Sequence, residues 1–308
     1  MILDCHLHYW RYPEHFPKDV FAQFTGARQQ GQTEEQIKER ADRQADKLLR
    51  EMKEAGVEKG VVLGLKSGTT LGIEVNNEDI AKALKPHAGK LYWGPGVILT
   101  DSGAADEVEH CIRDLEAVAV GEIGPGYGYF RIDDPRCFPV YEVARSYDVP
   151  ISIHAGPVGP RNTYLKYGDL LALDEVCVNF PTLKVVLCHM GEPHYHEAAH
   201  LMSKHANLYA DISMVPRAAG LSAMAPPPVV YPFPHLDEPL LYYFSAPARN
   251  RNKLLWASDV QNPKESMEGI RGVNGRLKKM GYPTIPEELI ENMFHENWKQ
   301  VFTKIQAK

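Results

Sequence analysis

Eight short apolar segments recur along this chain of 308 residues, and a longer amphipathic segment follows each of them. Some are almost entirely apolar, such as Val185-Val186-Leu187-Cys188, a composition typical of strands covered on both faces. Strict alternation of strands with helices indicates a parallel α/β sheet, and eight repeats favour a closed (β/α)8 TIM barrel over an open sheet. The predicted strands are Ile2–His8, Gly60–Leu65, Leu91–Ile98, Ala117–Ile123, Pro150–His154, Lys184–Cys188, Leu208–Ile212 and Lys253–Ser258.

Helix signals lie between the strands. The longest predicted helix, Thr33–Ala55, begins with Thr33 and Gln36 at capping-box positions and is followed by Gly56, a residue that commonly ends helices. Because no internal repeat or low-complexity linker divides the sequence, we predict one domain over residues 1–308. The other predicted helices are Asn76–Leu84, Asp101–Leu115, Pro135–Tyr147, Gly168–Val178, Pro193–His205, Asp237–Ala248, Pro263–Met280 and Pro286–Phe302.

Two segments are longer than a minimal barrel needs. Tyr9–Gln32 follows the first strand and is rich in aromatic residues, and Met214–His235 follows the seventh and contains three consecutive prolines. Both follow the carboxyl end of a strand, which is the face of such barrels that carries active sites. We therefore predict insertions after strands 1 and 7 that form pocket walls, subunit contacts or both.

Net charge and residue composition indicate which classes of binding partner to expect. The net charge is -6 and no run of five basic residues occurs, so we expect neither nucleic acid nor a membrane surface as a partner. No apolar run approaches the ~18 residues of a membrane helix, and no signal peptide is expected. The five scattered cysteines favour reduced thiols and a cytoplasmic location. We expect a small-molecule substrate and, from the aromatic insertions, a homo-oligomer.

Histidines and carboxylates stand at or near the ends of five predicted strands. His6 and His8 are two residues apart, so their side chains leave the same face of the first strand. Four more such residues end later strands: Glu122, His154, His189 and Asp259. Each also has a structural explanation when taken singly, such as helix capping by an aspartate. Because barrel strands converge at their carboxyl ends, the set together predicts a divalent metal site.

This ordered set of motifs resembles the amidohydrolase superfamily. The most similar branch is the amidohydrolase-related one, which includes aminocarboxymuconate-semialdehyde decarboxylase and several lactonases. The resemblance covers nearly the whole chain and is specific for the superfamily rather than for a substrate. It rests on His6-x-His8, His154, Cys188-His189-Met190-Gly191 and Ser258-Asp259, with Ile290–Phe302 similar to the last helix of that branch.

The resemblance implies a role for each matching residue. His6, His8, His154 and Asp259 would hold one divalent ion, Zn or Mn, and His189 would be the general acid or base beside it. The chemistry agrees, because a divalent ion lowers the pKa of water toward ~7. A histidine exchanges protons in the same pH range, and Asp259 can both ligate and accept a proton.

Glu122 departs from the decarboxylase pattern. The segment Gly121-Glu122-Ile123-Gly124 resembles the fourth strand of TatD-type metal-dependent hydrolases, and other members of the superfamily bridge two metals with a carboxylate from this strand. If Glu122 bridges two ions, His189 becomes a ligand of the second ion and Asp259 becomes the main base. The sequence leaves sites of one and of two ions open.

Substrate contacts are expected from the loops that follow the strands. Trp10, Arg161 and Arg217 follow strands one, five and seven, and Tyr127 lies in the glycine-rich loop after strand four. An arginine in such a loop can clamp a carboxylate with two hydrogen bonds, so a carboxylate is among the expected substrates.

The site allows two enzymatic activities. One is metal-dependent hydrolysis of a small ester, lactone or amide, and the other is non-oxidative decarboxylation of an aromatic or unsaturated carboxylic acid. A bridging Glu122 favours hydrolysis, and a buried arginine directed at the metal favours decarboxylation. A binding barrel without turnover is a third hypothesis. The net charge disfavours a TatD-like nuclease, and a zinc-protease helix at His196–His200 would leave the strand-end residues unexplained.

Overall fold

The computed structural model describes residues 1–25, 32–155, 163–215, 236–245 and 251–306. Within these ranges, eight parallel strands form two hydrogen-bonded sheets, of order β1-β2-β3 and β8-β7-β6-β5-β4. The strands are β1 Leu3–Leu7, β2 Lys59–Leu63, β3 Leu91–Gly94, β4 Val120–Ile123, β5 Ile151–Ile153, β6 Val185–Leu187, β7 Leu208–Asp211 and β8 Leu254–Leu255.

Backbone hydrogen bonds at two seams join the sheets into a closed barrel. Between β3 and β4, the Val118 amide donates to the Trp93 carbonyl at 2.9 Å. Between β8 and β1, the Asp259 amide donates to the His6 carbonyl at 2.7 Å. Each strand overlaps a predicted one in the same order, so the predicted TIM barrel is confirmed.

Helices pack outside the strands and bury their apolar faces against them. Leu48 and Met52 of the third helix, for example, are almost fully buried. The helices are α1 Lys18–Thr25, α2 Glu34–Ala41, α3 Ala45–Ala55, α4 Gly68–Leu71, α5 Asn77–Leu84, α6 Ala104–Arg113, α7 Pro125–Gly128, α8 Phe138–Ser146, α9 Ala172–Asn179, α10 Tyr195–Lys204, α11 Asp237–Ser245, α12 Pro263–Arg271, α13 Val273–Lys279, α14 Glu287–His295 and α15 Thr303–Gln306. None of the described helices is long and apolar enough to cross a membrane.

The predicted helix over Thr33–Ala55 is two helices, α2 and α3. Its ends are as predicted: the Gln36 amide donates to Thr33 Oγ1 at 3.2 Å, the Thr33 amide donates to Gln36 Oε1 at 2.9 Å, and Gly56 ends α3 at a φ of 72°. The prediction of one continuous helix was wrong, because the helix is interrupted between Ala41 and Ala45.

Tertiary hydrogen bonds interrupt this helix at Asp42, whose backbone is extended. The Tyr12 amide donates to Asp42 Oδ1 at 2.9 Å, and the Arg43 amide donates to the Trp10 carbonyl at 3.0 Å. These bonds to the segment after β1 replace the helical ones. The local sequence pattern could not predict these hydrogen bonds, because the partners lie about 30 residues apart.

The C-terminal segment covers the amino end of the barrel. Lys59, the first residue of β2, donates from Nζ to the Ile305 carbonyl at 3.5 Å. Buried Trp298 and Phe302 belong to the same apolar cluster as Leu3, the first residue of β1. The opposite, carboxyl end of the barrel therefore carries the predicted polar residues.

The predicted insertions are described only in part. After β1, the aromatic residues Trp10, Phe16 and Phe21 form a buried cluster with ring centroids 5.3–5.4 Å apart. Residues 216–235, most of the second predicted insertion, lie outside the described residues. A short antiparallel ladder that was not predicted, Lys66–Ser67 with Ile73–Glu74, follows β2.

We predict that Gly94→Ala destabilises the closed barrel. A Cβ at Gly94 would lie 2.7 Å from the Ala119 carbonyl oxygen at the seam between β3 and β4. This overpacking should cost about 1–3 kcal/mol and lower the urea midpoint of unfolding. The matched control is Gly275→Ala, because that helical glycine has open space around its Cβ position. The control should gain about 0.5–1 kcal/mol, and equal midpoints for the two variants would contradict the prediction.

Candidate active site

The carboxylate of Glu122 lies at the centre of the polar strand ends and is almost fully buried. Its Oε1 is 2.8 Å from His154 Nδ1 and 3.3 Å from His189 Nε2. Its Oε2 is 3.5 Å from His8 Nε2 and 3.9 Å from His6 Nε2. Each oxygen therefore faces one pair of histidines.

Asp259 completes one side of this arrangement. Its Oδ1 is 3.2 Å from His8 Nε2. Its backbone has a φ of 58°, in the left-handed region that non-glycine residues rarely adopt. His189 has the same unusual backbone, with a φ of 59°. Such conformations persist where the surroundings determine them and often mark functional sites.

Local backbone irregularities direct two of these side chains. Pairing between β1 and β2 shifts register between Asp4 and Leu7, the segment that contains His6. Pairing between β4 and β5 shifts between Val120 and Ile123, the segment that contains Glu122. Such irregularities redirect a side chain and are common beside active sites.

His6 in β1 and His8 directly after it are fixed through their Nδ1 atoms. His6 Nδ1 donates to Asp211 Oδ2 at 3.1 Å, and His8 Nδ1 donates to the Leu63 carbonyl at 2.9 Å. These partners assign the tautomers of the neutral rings, in which both Nε2 atoms carry lone pairs. The two Nε2 atoms are only 3.2 Å apart, and two lone pairs cannot bond to each other. A cation between them satisfies both.

Asp211 also fixes His189. Asp211 Oδ1 accepts hydrogen bonds from the Ser213 hydroxyl and from the His189 amide. Since the Ser213 proton is committed to Asp211, Ser213 Oγ accepts from His189 Nδ1 at 2.8 Å. In the neutral ring, the lone pair of His189 Nε2 faces Glu122 and His154. One carboxylate thus orients the ligand atoms of two histidines.

Electrostatics favour positive charge in this cluster. Burial alone raises the pKa of a carboxyl and lowers that of an imidazole. For Glu122, charges and hydrogen bonds of the neighbouring histidines outweigh burial, and its pKa lies well below the usual value. For His8, hydrogen bonds with Asp259 and Glu122 outweigh burial and raise the pKa to about 10. Similar interactions with Glu122 raise the pKa of His189 to about 9.

The donor set fits divalent cations. The ligand atoms of His6, His8 and Glu122 lie within 4.8 Å of one another, as do those of Glu122, His154 and His189. Glu122 belongs to both groups. Imidazole nitrogens and carboxylate oxygens are common ligands of Zn, and both suit Mn. The structure thus brings the predicted residues His6, His8, Glu122, His154 and His189 together at the strand ends.

The four predicted substrate contacts have different surroundings. Buried Trp10 stacks on His8 with ring centroids 5.5 Å apart, and its Nε1 donates to the Ala41 carbonyl. The ring of Tyr127 lies 5.2 Å from that of His154. Arg161 and Arg217 lie outside the described residues.

Sequence reasoning missed Asp211 and Arg43. Asp211 could have been found, because it stands in the predicted seventh strand like the other strand-end carboxylates. Arg43 had no such signal, since it lies in a segment predicted as helix. The alternative zinc-protease helix does not contribute to the cluster, because His196 is exposed and pairs with Glu238.

A closed barrel with histidines and carboxylates at the carboxyl ends of its strands defines a class of barrel enzymes. A family model described as amidohydrolase matches residues 3–302, so the chain belongs to the amidohydrolase family. No curated protein matches the chain.

Solved structures share the fold at low sequence identity. An uncharacterised TIM-barrel protein from Bordetella bronchiseptica is 21% identical, with a TM-score of 0.71 and 99% of each chain covered. A probable 2-pyrone-4,6-dicarboxylic acid hydrolase from Acinetobacter baumannii, solved with citric acid, is 14% identical, with a TM-score of 0.64 over 98% of this chain and 99% of the other. A dihydroxybenzoic acid decarboxylase from Polaromonas, solved with manganese and 2-nitroresorcinol, is 14% identical, with a TM-score of 0.66 over 98% and 96%.

We predict that Asp211→Asn weakens metal binding by about 10–100-fold, the usual effect of removing a carboxylate that orients a ligating histidine. Competition with a chromophoric chelator measures the affinity. The control is Asp174→Asn, which changes a surface aspartate that also bonds a histidine, His205. The control should bind metal as the wild type does. Equal affinity in Asp211→Asn would contradict the assigned role.

Proposed function

We propose that this chain is a metal-dependent hydrolase that acts on a small ester, lactone or amide with the help of two divalent ions. The position of Glu122 carries the proposal. Its Oε2 faces His6 and His8, and its Oε1 faces His154 and His189. A carboxylate between two sets of ligands suits a bridge in a two-metal site.

The ligand atoms divide into two sets. A bound divalent ion supplies Lewis acidity, which lowers the pKa of water and polarises a carbonyl oxygen. One ion would be held by His6, His8, Asp259 and Glu122, and the other would be held by His154, His189 and Glu122.

Asp259 is the residue best placed to accept a proton. Its side chain is 10% exposed, whereas those of Glu122 and Asp211 are 3% and 1% exposed. Asp211 is occupied by His6 and Ser213, and Glu122 is enclosed by imidazoles. We therefore assign Asp259 as the general base, which takes a proton from water and returns it to the leaving group. His189 then serves as a ligand rather than as the base.

Decarboxylation of an aromatic or unsaturated carboxylic acid is the second candidate. It is favoured by the fold shared with the Polaromonas decarboxylase. An arginine directed at the ligand set would support it further. Among the described residues, buried Arg43 instead donates to the backbone carbonyl of Asp259 and pairs with Glu51. For this reason we place hydrolysis first.

Metal content tests the bridging role of Glu122. Elemental analysis of the untagged protein should find about two ions per chain, and about one or fewer in Glu122→Ala, because both sets of ligands share this carboxylate. The control is Glu192→Ala, since Glu192 follows the cluster in sequence but belongs to neither group of ligands. The control should keep the wild-type metal content.

Two results would contradict the two-ion proposal. One ion per chain in both wild type and Glu122→Ala would indicate a mononuclear site and direct the search toward decarboxylase and lactonase substrates. Absence of metal from both would remove the proposed chemistry, and lactone hydrolysis without metal would then be tested.

A substrate panel separates the two reactions. Small esters, lactones and amides are assayed for acid release, and aromatic or unsaturated carboxylic acids are assayed for carbon dioxide. We expect acid release, and a fall in kcat of about 100-fold or more in Asp259→Asn from loss of the general base. Glu192→Ala should keep the wild-type kcat. Carbon dioxide release together with no hydrolysis would support the decarboxylase instead.

A further inference from the structure

Arg43 is a buried arginine in the interruption between α2 and α3, with 4% of its surface exposed. Its Nη2 donates to the carbonyl oxygen of Asp259 at 3.0 Å, although the two residues are 216 positions apart. Its Nη1 lies 3.1 Å from Glu51 Oε2 in α3. The Arg43 Nε is buried without a hydrogen-bond partner, so burial of this cation is only partly compensated.

Two hydrogen bonds hold the backbone of Asp259, one on each side of its Cα. The amide donates to the His6 carbonyl at 2.7 Å, and the carbonyl accepts from Arg43. An aspartate with a φ of 58° needs such surroundings. The left-handed backbone directs the carboxylate toward His8, where Oδ1 lies 3.2 Å from Nε2.

The same interruption supports His8. The Arg43 amide donates to the Trp10 carbonyl, and Trp10 Nε1 donates to the Ala41 carbonyl at 2.7 Å. The Trp10 ring in turn stacks on His8 at an interplanar angle of 25°. The break between α2 and α3 therefore contacts the supports of two neighbouring ligands, on β1 and after β8.

We infer that Arg43 is a positioning residue of the metal site: by binding the Asp259 carbonyl from the interrupted helix, it holds the Asp259 carboxylate beside His8. The inference rests on the proposed function, because it gives Asp259 the role of a ligand. It extends that proposal to a residue that touches neither the ions nor a substrate. A guanidinium suits this task because one group binds the carbonyl and Glu51 at the same time.

The first test is metal affinity of Arg43→Met, measured by chelator competition. The substitution removes the donors and keeps an unbranched apolar side chain that replaces the aliphatic part of the arginine. We expect affinity for the ion assigned to His6, His8 and Asp259 to fall by about 10–100-fold, as when other supports of ligands are removed. The matched control is Arg50→Met, because Arg50 lies in α3, the helix that follows Arg43, but pairs with Glu39 on the surface. It should bind metal as the wild type does.

The second test does not depend on metal. Hydrogen exchange in metal-free protein is compared for the peptide covering residues 254–262. Exchange there should become faster in Arg43→Met and stay unchanged in Arg50→Met. Should Arg43→Met unfold globally, Arg43→Lys decides, since it keeps the charge with fewer donors. Faster exchange confined to residues 254–262 then supports the inference, and a uniform increase over all peptides overturns it.

The two readouts separate the inference from the proposed function. If wild-type protein binds no metal, the two-ion proposal fails, and exchange in the peptide alone decides the role of Arg43. If wild-type protein binds metal, both the affinity and the exchange must change in Arg43→Met. Wild-type values for either one would overturn the inference.

Discussion

A buried carboxylate among four imidazoles is the constraint on which the carboxyl end of this barrel depends. Glu122 is 3% exposed, and histidines from three strands surround it. Burial of so many ionisable groups is unfavourable unless charges are paired and hydrogen bonds are satisfied. Asp211 contributes to this balance by orienting His6 and His189 so that their lone pairs face the centre. The arrangement has a place for positive charge, which protons or divalent cations can supply.

Barrel closure and site assembly use the same hydrogen bonds. The Asp259 amide donates to the His6 carbonyl, which joins β8 to β1 and brings a carboxylate beside the histidines. Below this bond, the buried carboxylate of Asp4 accepts from the amides of His6 and Ser258 and from the Ser258 hydroxyl. The candidate metal-binding side chains at the end of β1 and after β8 can therefore take their positions only when the seam between these strands has formed.

The alternation of apolar segments with longer amphipathic ones allowed the barrel and the strand-end cluster to be predicted, because both depend on local composition and on the convergence of parallel strands. Asp211 obeys the same rule as Asp259 and was within reach of that reasoning. The break at Asp42 and the role of Arg43 were not, because they arise from hydrogen bonds to Trp10, Tyr12 and Asp259. Sequence also left the number of ions open, since that depends on which oxygen of Glu122 faces which histidines.

The fold separates stability from chemistry along the barrel axis. At the amino end, Trp298, Phe302 and Ile305 pack with strand residues such as Leu3 in an apolar cluster. Burial of apolar surface at this end stabilises the fold and offsets the unfavourable burial of charge at the other end. Strained residues such as Asp259 and His189 can persist at the carboxyl end because the strands that carry them are anchored elsewhere. Loops at that end are then free to vary in sequence and to select a substrate without change to the closed barrel.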